Sequence, residues 1–253
     1  MMLNPIFDKF VAKSPISVMV RGLAERVMNP DKLDAWFEQN AHSQYTRDLL
    51  FSTVVDIMSD VVCTSHKSVH SAYQASRDEI AVSVTSVYNK LNAMEPTTSA
   101  ALVRYAYSEV APVIEELGGA QAPLLPGFRV KLLDGNCIKK TDHRISELRT
   151  LGAGALPGKS LVVLDPALRL PIDVFPCEDG HAQERSLLGA VLSSVEKDDL
   201  WVADRNFCVV SFLIGIEEKD GFFAIRKHGN FPYKPLGYEK KVGKTETGTV
   251  YEQ

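Results

Sequence analysis

Two short apolar runs, Val130-Lys-Leu-Leu-Asp134-Gly-Asn and Leu200-Trp-Val-Ala-Asp204-Arg-Asn-Phe, each end in an aspartate. Runs of this length and composition predict β-strands. A single aspartate at a strand end most often caps a turn. Two of them at the C-terminal ends of strands in one α/β unit are typical of a Mg²⁺ site for phosphodiester chemistry, because Mg²⁺ prefers carboxylate oxygens.

The order of the remaining elements places these two strands in one sheet. Strands are predicted at 128–133, 160–164 and 170–175, then a helix at 183–195, a strand at 200–203, a helix at 208–218 and a strand at 222–226. Three strands in a meander, followed by helix, strand, helix and strand, is the order of an RNase H-like sheet. Since strands one and four are neighbours in that topology, we expect Asp134 and Asp204 to lie side by side.

The N-terminal half is predicted to be helical. Apolar residues recur at helical spacing from about 16 to 117, for example at Leu50, Val54 and Val61. Asp31 is the expected cap of one helix, and Ser99 is the expected cap of another that ends near 111, before a proline. The fold class is thus α + α/β, with a helical domain at 1–120, an incomplete RNase H-like mixed sheet at 121–229, and the start of a β-rich insertion at 230–253.

Composition limits the classes of function. The net charge of −4 gives no overall attraction to nucleic acid, so DNA binding would depend on local patches such as 221–253, where 6 Lys and Arg face 3 Asp and Glu. The four cysteines form no CxxC pair, which favours reduced thiols in a cytosolic protein. No apolar run reaches the length of a membrane span.

Three weaker patterns resemble functional motifs but fit ordinary structural roles better. Cys63-x2-His66-x3-His70 has metal-like spacing on one predicted helical face but offers no fourth ligand, so a polar helix face is the better interpretation. Gly154-x3-Gly158-Lys-Ser has one residue too few for a phosphate-binding loop and precedes a strand, which favours a turn. Asp165 and Asp173 are interpreted as a turn and a strand residue, with replacement metal ligation as the alternative.

The sequence segments around the two aspartates resemble those of the DDE transposases of the insertion-sequence-4 family. The resemblance covers about residues 50 to 230 and is most specific at Ala203-Asp-Arg-Asn-Phe-Cys208. The other segments that carry it are Asp134-Gly-Asn136, Thr141-Asp-His143-Arg144-Ile145 with Leu148-Arg149, Phe222-Phe-Ala-Ile-Arg226-Lys227-His228-Gly229, Ser86-Val-Tyr-Asn-Lys-Leu-Asn-Ala-Met-Glu-Pro96 and Ala100-Ala-Leu-Val-Arg-Tyr105.

The resemblance implies a cut-and-paste enzyme in which two Asp and one Glu bind two Mg²⁺ or Mn²⁺ ions. Asp134 and Asp204 would be its catalytic and metal-binding aspartates. The family's glutamate lies in a Tyr-x2-Arg-x3-Glu-x6-Lys motif that this sequence does not contain, since Glu239, Glu246 and Glu252 lack that spacing. We therefore expect a truncated copy that is inactive alone, in a bacterial cytoplasm and associated with the nucleoid.

The expected partner is double-stranded DNA, as transposon ends and target. The candidate phosphate contacts are His143, Arg144, Arg205, Arg226, Lys227 and His228. Lys234, Lys240, Lys241 and Lys244 form either a further DNA track among tyrosines or a frayed tail. The chain could also form a homodimer, or a heterodimer with a full-length transposase. Two alternatives to an active transposase remain. One is a non-catalytic fragment that binds DNA or inhibits a full-length transposase by pairing with it, and the other is a remnant without function.

Overall fold

The computed structural model describes residues 9, 11–44, 47–138, 158–177, 182–234, 237–246 and 248–252. Helices come first along the chain and strands follow, which gives an α+β fold with a mixed sheet. The helices are α1 Pro15–Val27, α2 Pro30–Asn40, α3 Phe51–Val62, α4 Val69–Ala75, α5 Val84–Asn92 and α6 Pro96–Glu116. None of the described helices is long and apolar enough to cross a membrane. The domain limits at 120 and 229 stay predictions.

Two helix starts differ from the predicted ones, for the same reason. Helix α2 begins at Pro30, and its cap is Asn29, whose side chain accepts from the Lys32 N–H at 3.0 Å, whereas Asp31 lies in the first turn. Helix α6 likewise begins at a proline, so Ser99 lies inside it and is not its cap. Proline suits the first helical position because its fixed φ is helical and its missing N–H would have no partner there.

Helix α6 also continues through Pro112, although the sequence predicted an end before it. A proline there leaves the carbonyl four residues earlier without its helical partner, which destabilises a helix in isolation. The helix packs against α1, α2 and strand β3, and Ala111, directly before the proline, is buried. Tertiary packing therefore outweighs the lost hydrogen bond.

The main sheet has five strands in the order β3-β2-β1-β4-β5. Strands β1, β2 and β3 form an antiparallel meander, and β4 and β5 run parallel to β1. The predicted strands and the pairing of strand one with strand four are confirmed, but the predicted end of strand one at 133 is wrong. Strand β1 continues through Asp134 to Ile138, because residues 134–138 still pair with β2. The strands are β1 Arg129–Ile138, β2 Gly158–Asp165, β3 Leu170–Cys177, β4 Asp199–Ala203 and β5 Phe222–Ile225.

The helical segments between the strands cover one face of this sheet. The predicted helix at 183–195 is a short α7, Leu188–Val191, flanked by 3₁₀ turns at Glu184–Leu187 and Leu192–Ser194, and α8 spans Val210–Glu217. The core on this face contains the buried side chains of Leu133, Leu161, Val163, Leu188, Val191, Trp201, Phe207, Phe212 and Ile216. This packing fixes the strand ends that carry the candidate site.

The C-terminal segment is a β-hairpin, β6 Lys240–Thr245 and β7 Gly248–Glu252, and it forms a sheet of its own. Its described side chains are almost all exposed.

The predicted polar helix face at Cys63, His66 and His70 is wrong. Helix α3 ends at Val62 and α4 begins at Val69, so these three residues do not lie on one helix. A left-handed Thr64, at φ 61°, follows the helix end.

Candidate functional site at the carboxyl ends of the parallel strands

The two predicted aspartates lie at neighbouring positions on adjacent parallel strands. Leu133 of β1 pairs with Ala203, the last residue of β4; Asp134 is the next residue of β1, and Asp204 directly follows β4. Neighbouring strands lie about 4.8 Å apart, so the two backbones are close at this level. Both aspartates are exposed. We call this place the carboxyl edge, since the parallel strands β4 and β5 end there, while β1 continues past Asp134 to Ile138 in its pairing with β2.

Each aspartate is oriented by one backbone N–H that lies one or two residues after it in the chain. Asp134 Oδ1 accepts from the Gly135 N–H at 2.8 Å, and Asp204 Oδ1 accepts from the Asn206 N–H at 2.7 Å, which caps the 3₁₀ turn Arg205–Phe207. Within the described residues, neither carboxylate forms an ion pair or uses its second oxygen in a hydrogen bond. Two nearby carboxylates without a cation repel each other, so this arrangement favours a bound cation.

The donor set suits a hard divalent cation. Mg²⁺ keeps several waters and is commonly bound through one or two carboxylates together with substrate phosphates. Asp134 and Asp204 supply two such carboxylates, each with one oxygen free of described partners. In the described part of the chain, no group of three or more His, Cys, Asp or Glu side chains is placed to hold a metal ion. The residues fit a two-carboxylate site.

A third carboxylate, Glu184, reaches this edge without being predicted. Its Oε2 accepts from the Asn206 Nδ2 at 2.7 Å, and its Oε1 lies only 2.4 Å from where a Cβ on Gly135 would stand. Glu184 begins the 3₁₀ turn that precedes α7. The one signal in the sequence was the Asp134-Gly135 pair, because a glycine in a strand often marks a close approach of another group.

Cationic side chains stand at the same edge. Arg205 follows Asp204 directly, and Arg226 follows β5 in register, because Ala203 pairs with Ile225. Lys227 and His228 come next, and all four side chains are exposed. The Lys227 Nζ lies 4.1 Å from the centre of the Tyr233 ring. Topology thus brings these cations to the edge of the aspartates, and their contact with DNA stays a prediction.

The other predicted positions lie elsewhere. His143 and Arg144 fall outside the described residues. Asp173, on β3, is two strands from β1 and is buried in an ion pair with Arg104, at 2.8 Å. Asp165 ends β2 near the opposite end of β1 and accepts from the hydroxyl of Tyr107 at 3.2 Å.

Comparisons with known proteins add one finding. No family model matches the chain, and no curated protein matches it. Among solved structures, it is similar to the piggyBac transposase in a synaptic complex with hairpin DNA, with 12% sequence identity and a TM-score of 0.35. The match covers 90% of this chain and 57% of that one, so the chain spans little more than half of that protein's length. A likeness at this TM-score is too low to assign a function.

Proposed function

We propose that this chain is of the DNA transposase lineage, with an RNase H-like sheet whose carboxyl edge binds Mg²⁺ or Mn²⁺ beside a DNA backbone. The observation that carries the proposal is the in-register placement of Asp134 and Asp204 on adjacent parallel strands. The residue segments that resemble the insertion-sequence-4 transposases include both aspartates and support the same assignment. Proteins with this chemistry cut and join DNA strands at transposon ends.

On this proposal, different residues of the chain would bind the metal ion and the DNA phosphates. The free oxygens of Asp134 and Asp204 would hold the cation, while the backbone N–H groups of Gly135 and Asn206 keep the carboxylates in place. Arg205 and Arg226 would hold phosphates of the DNA backbone, since cations position a duplex without reading its sequence. When bound, Mg²⁺ polarises a phosphate oxygen and lowers the pKa of a water.

A second candidate function is DNA binding without cleavage. The observation that favours it is the lack of a third metal-binding carboxylate beside the two aspartates in the described part of the chain. Two carboxylates would hold one cation loosely and would leave a two-metal site unfinished. On this proposal the chain occupies DNA ends, or inhibits by pairing with a full-length transposase, and does not cut alone.

Calorimetric titration with Mn²⁺ tests the metal site. We expect Asp134→Asn and Asp204→Asn each to lower the Mn²⁺ affinity by at least about tenfold, the loss that supporting residues of a metal site alone can cause. Asp220→Asn is the matched control: Asp220 is exposed, and its φ of 55° suits asparagine. Equal Mn²⁺ affinity in the wild type and both site variants would refute the metal site.

A nicking assay on supercoiled DNA with Mg²⁺ separates the two candidate functions. Binding of DNA without nicking is expected, because the described residues place no third metal-binding carboxylate beside the two aspartates. Mg²⁺-dependent nicking that Asp204→Asn abolishes would establish a complete catalytic site in this chain, and would exclude the non-cutting candidate. The same nicking in the wild type and in Asp204→Asn would point to a contaminating nuclease.

A further inference from the structure

We propose that Glu184 is a positioning residue that ties β1, at Gly135, to the turn that follows β4 and so sets the geometry of Asp134 and Asp204. The inference rests on the function proposed for the carboxyl edge. It comes from the two contacts of one side chain: Glu184 Oε2 binds Asn206, and Glu184 Oε1 lies against Gly135. Each of these two neighbours donates its backbone N–H to one of the aspartates.

Asn206 is held at three points. Its N–H donates to Asp204 Oδ1 at 2.7 Å, its Nδ2 donates to Glu184 Oε2 at 2.7 Å, and its carbonyl oxygen accepts from the Arg185 Nε at 2.7 Å. A hydrogen bond to a charged group is roughly twice as strong as a neutral one. The Glu184 contact therefore restrains the turn whose N–H orients the Asp204 carboxylate.

Gly135 makes the second contact possible. A Cβ at this position would lie 2.4 Å from Glu184 Oε1 and 2.7 Å from its Cδ, far inside contact distance. With no side chain at Gly135, the carboxylate can lie directly on the backbone of β1, next to the peptide that donates to Asp134. Glu184 thus reaches the first aspartate through Gly135 and the second through Asn206.

The alternation of the strand separates this role from direct metal binding. Successive side chains of a strand point to opposite faces. Leu133 packs with Leu188 in the core, so Gly135 faces the same side, where Glu184 lies, and Asp134 faces the other. Glu184 supports the edge from behind, which agrees with the lack of a three-carboxylate metal group in the described residues.

Three variants test the role with two measurements, amide hydrogen exchange on the metal-free protein and Mn²⁺ titration. In Glu184→Ala we expect faster exchange of the Gly135 and Asn206 N–H groups and an Mn²⁺ affinity about tenfold lower. Glu184→Gln should keep most of the affinity, within about twofold, since its amide oxygen still accepts from Asn206. Exposed Glu218, at the C-terminal end of α8, provides the control Glu218→Gln. Thermal unfolding checks that each variant folds.

Gly135→Ala supplies the third variant and a test of coupling. It should displace Glu184 and lower the Mn²⁺ affinity as Glu184→Ala does, whereas the double variant Gly135→Ala/Glu184→Ala should lose no more than Glu184→Ala alone. Non-additivity of this kind marks residues that act through one contact.

Three results would overturn the proposal. If Glu184→Gln lowers the Mn²⁺ affinity as much as Glu184→Ala does, the negative charge of Glu184 is required and the residue acts on the metal directly. Unchanged exchange at Asn206 in Glu184→Ala would remove the positioning role, as would additive losses in the double variant. If the wild type binds no Mn²⁺, the proposed function fails, and the exchange of Gly135 and Asn206 still decides whether Glu184 orders the two strand ends.

Discussion

Aspartates lie at both ends of the segment over which β1 and β4 are paired, and their environments are opposite. At the amino end, Asp199 is fully buried, with the Lys131 Nζ at 2.8 Å and the Arg129 Nη2 at 3.0 Å. At the carboxyl end, Asp134 and Asp204 are exposed and have no cationic partner among the described residues. Paired, buried charge is a mark of structure, and unpaired carboxylates side by side are a mark of a site.

At the amino end, the buried Asp199 is surrounded by its own partners. The Glu196 N–H donates to Asp199 Oδ2 at 2.8 Å, and the Lys131 Nζ that pairs with this oxygen lies 5.5 Å from the centre of the buried Trp201 ring. Asp199 Oδ1 lies 3.0 Å from the Arg129 Nη2, and among the described residues this oxygen accepts no aligned hydrogen bond. The Asp199 charge is therefore balanced by ion pairs and is closed to a ligand.

Neutralising one aspartate at each end gives the largest difference between them. We expect Asp199→Asn to lower the free energy of unfolding by about 3 kcal/mol, because it leaves the largely buried Lys131 ammonium without its counterion. Asp204→Asn should stay within about 0.5 kcal/mol, since Asp204 is exposed and asparagine caps a turn as well as aspartate does. Urea unfolding of both variants measures this, and equal losses would refute the distinction.

The sequence predicted the carboxyl end better than the amino end. Asp134 and Asp204 stood out because each follows an apolar run, and the order of strands was enough to bring them together. Asp199 follows another aspartate and looks like a solvated turn, and its burial depends on Lys131 across the sheet. Glu184 was missed for the same reason: its partners lie on strand ends far away in the chain, and no local pattern encodes that contact.

Local rules failed where packing or proline geometry overrode them. Polar Asp31 and Ser99 both resemble helix caps, but in each case a proline begins the helix one or three residues earlier. Helix α6 runs past Pro112 because it packs on β3, where Arg104 pairs with the buried Asp173. The spacing of apolar residues was enough to predict whether each main element is a helix or a strand. The ends of the elements depend on proline geometry and on tertiary contacts, which that spacing does not encode.

The ionisation of Tyr107 tests the environment at the amino end. The Tyr107 hydroxyl donates to Asp165 there, beside a cavity of about 500 Å³. Burial, then the charge of Asp165 and this hydrogen bond, raise the pKa of Tyr107 to about 12. The unfolded chain loses that proton near pH 10, so the stability that Tyr107 contributes is full below pH 10 and is lost as pH rises towards about 12.

Tyr107→Phe should remove this pH dependence. We expect the variant to lose less stability than the wild type between about pH 10 and 12, and the difference in tyrosinate absorbance between the two proteins to show one group titrating near pH 12. A difference curve centred near pH 10 would mean that Tyr107 is not held by Asp165, and that the amino end is less closed than its contacts indicate.

The smallest effect concerns the cations of the carboxyl edge, which form no ion pair with a described carboxylate. If Arg226 contacts a DNA phosphate, Arg226→Gln should reduce the slope of log affinity against log salt by about one, with stability unchanged. Arg169→Gln is the matched control: Arg169 is also exposed, but it lies in the β2–β3 turn, towards the amino end of β1. Binding of a short duplex between roughly 50 and 200 mM salt gives both slopes. An equal change in the two variants would mean that DNA senses only net charge, whereas a change confined to Arg226→Gln would place the duplex at the edge that carries Asp134 and Asp204.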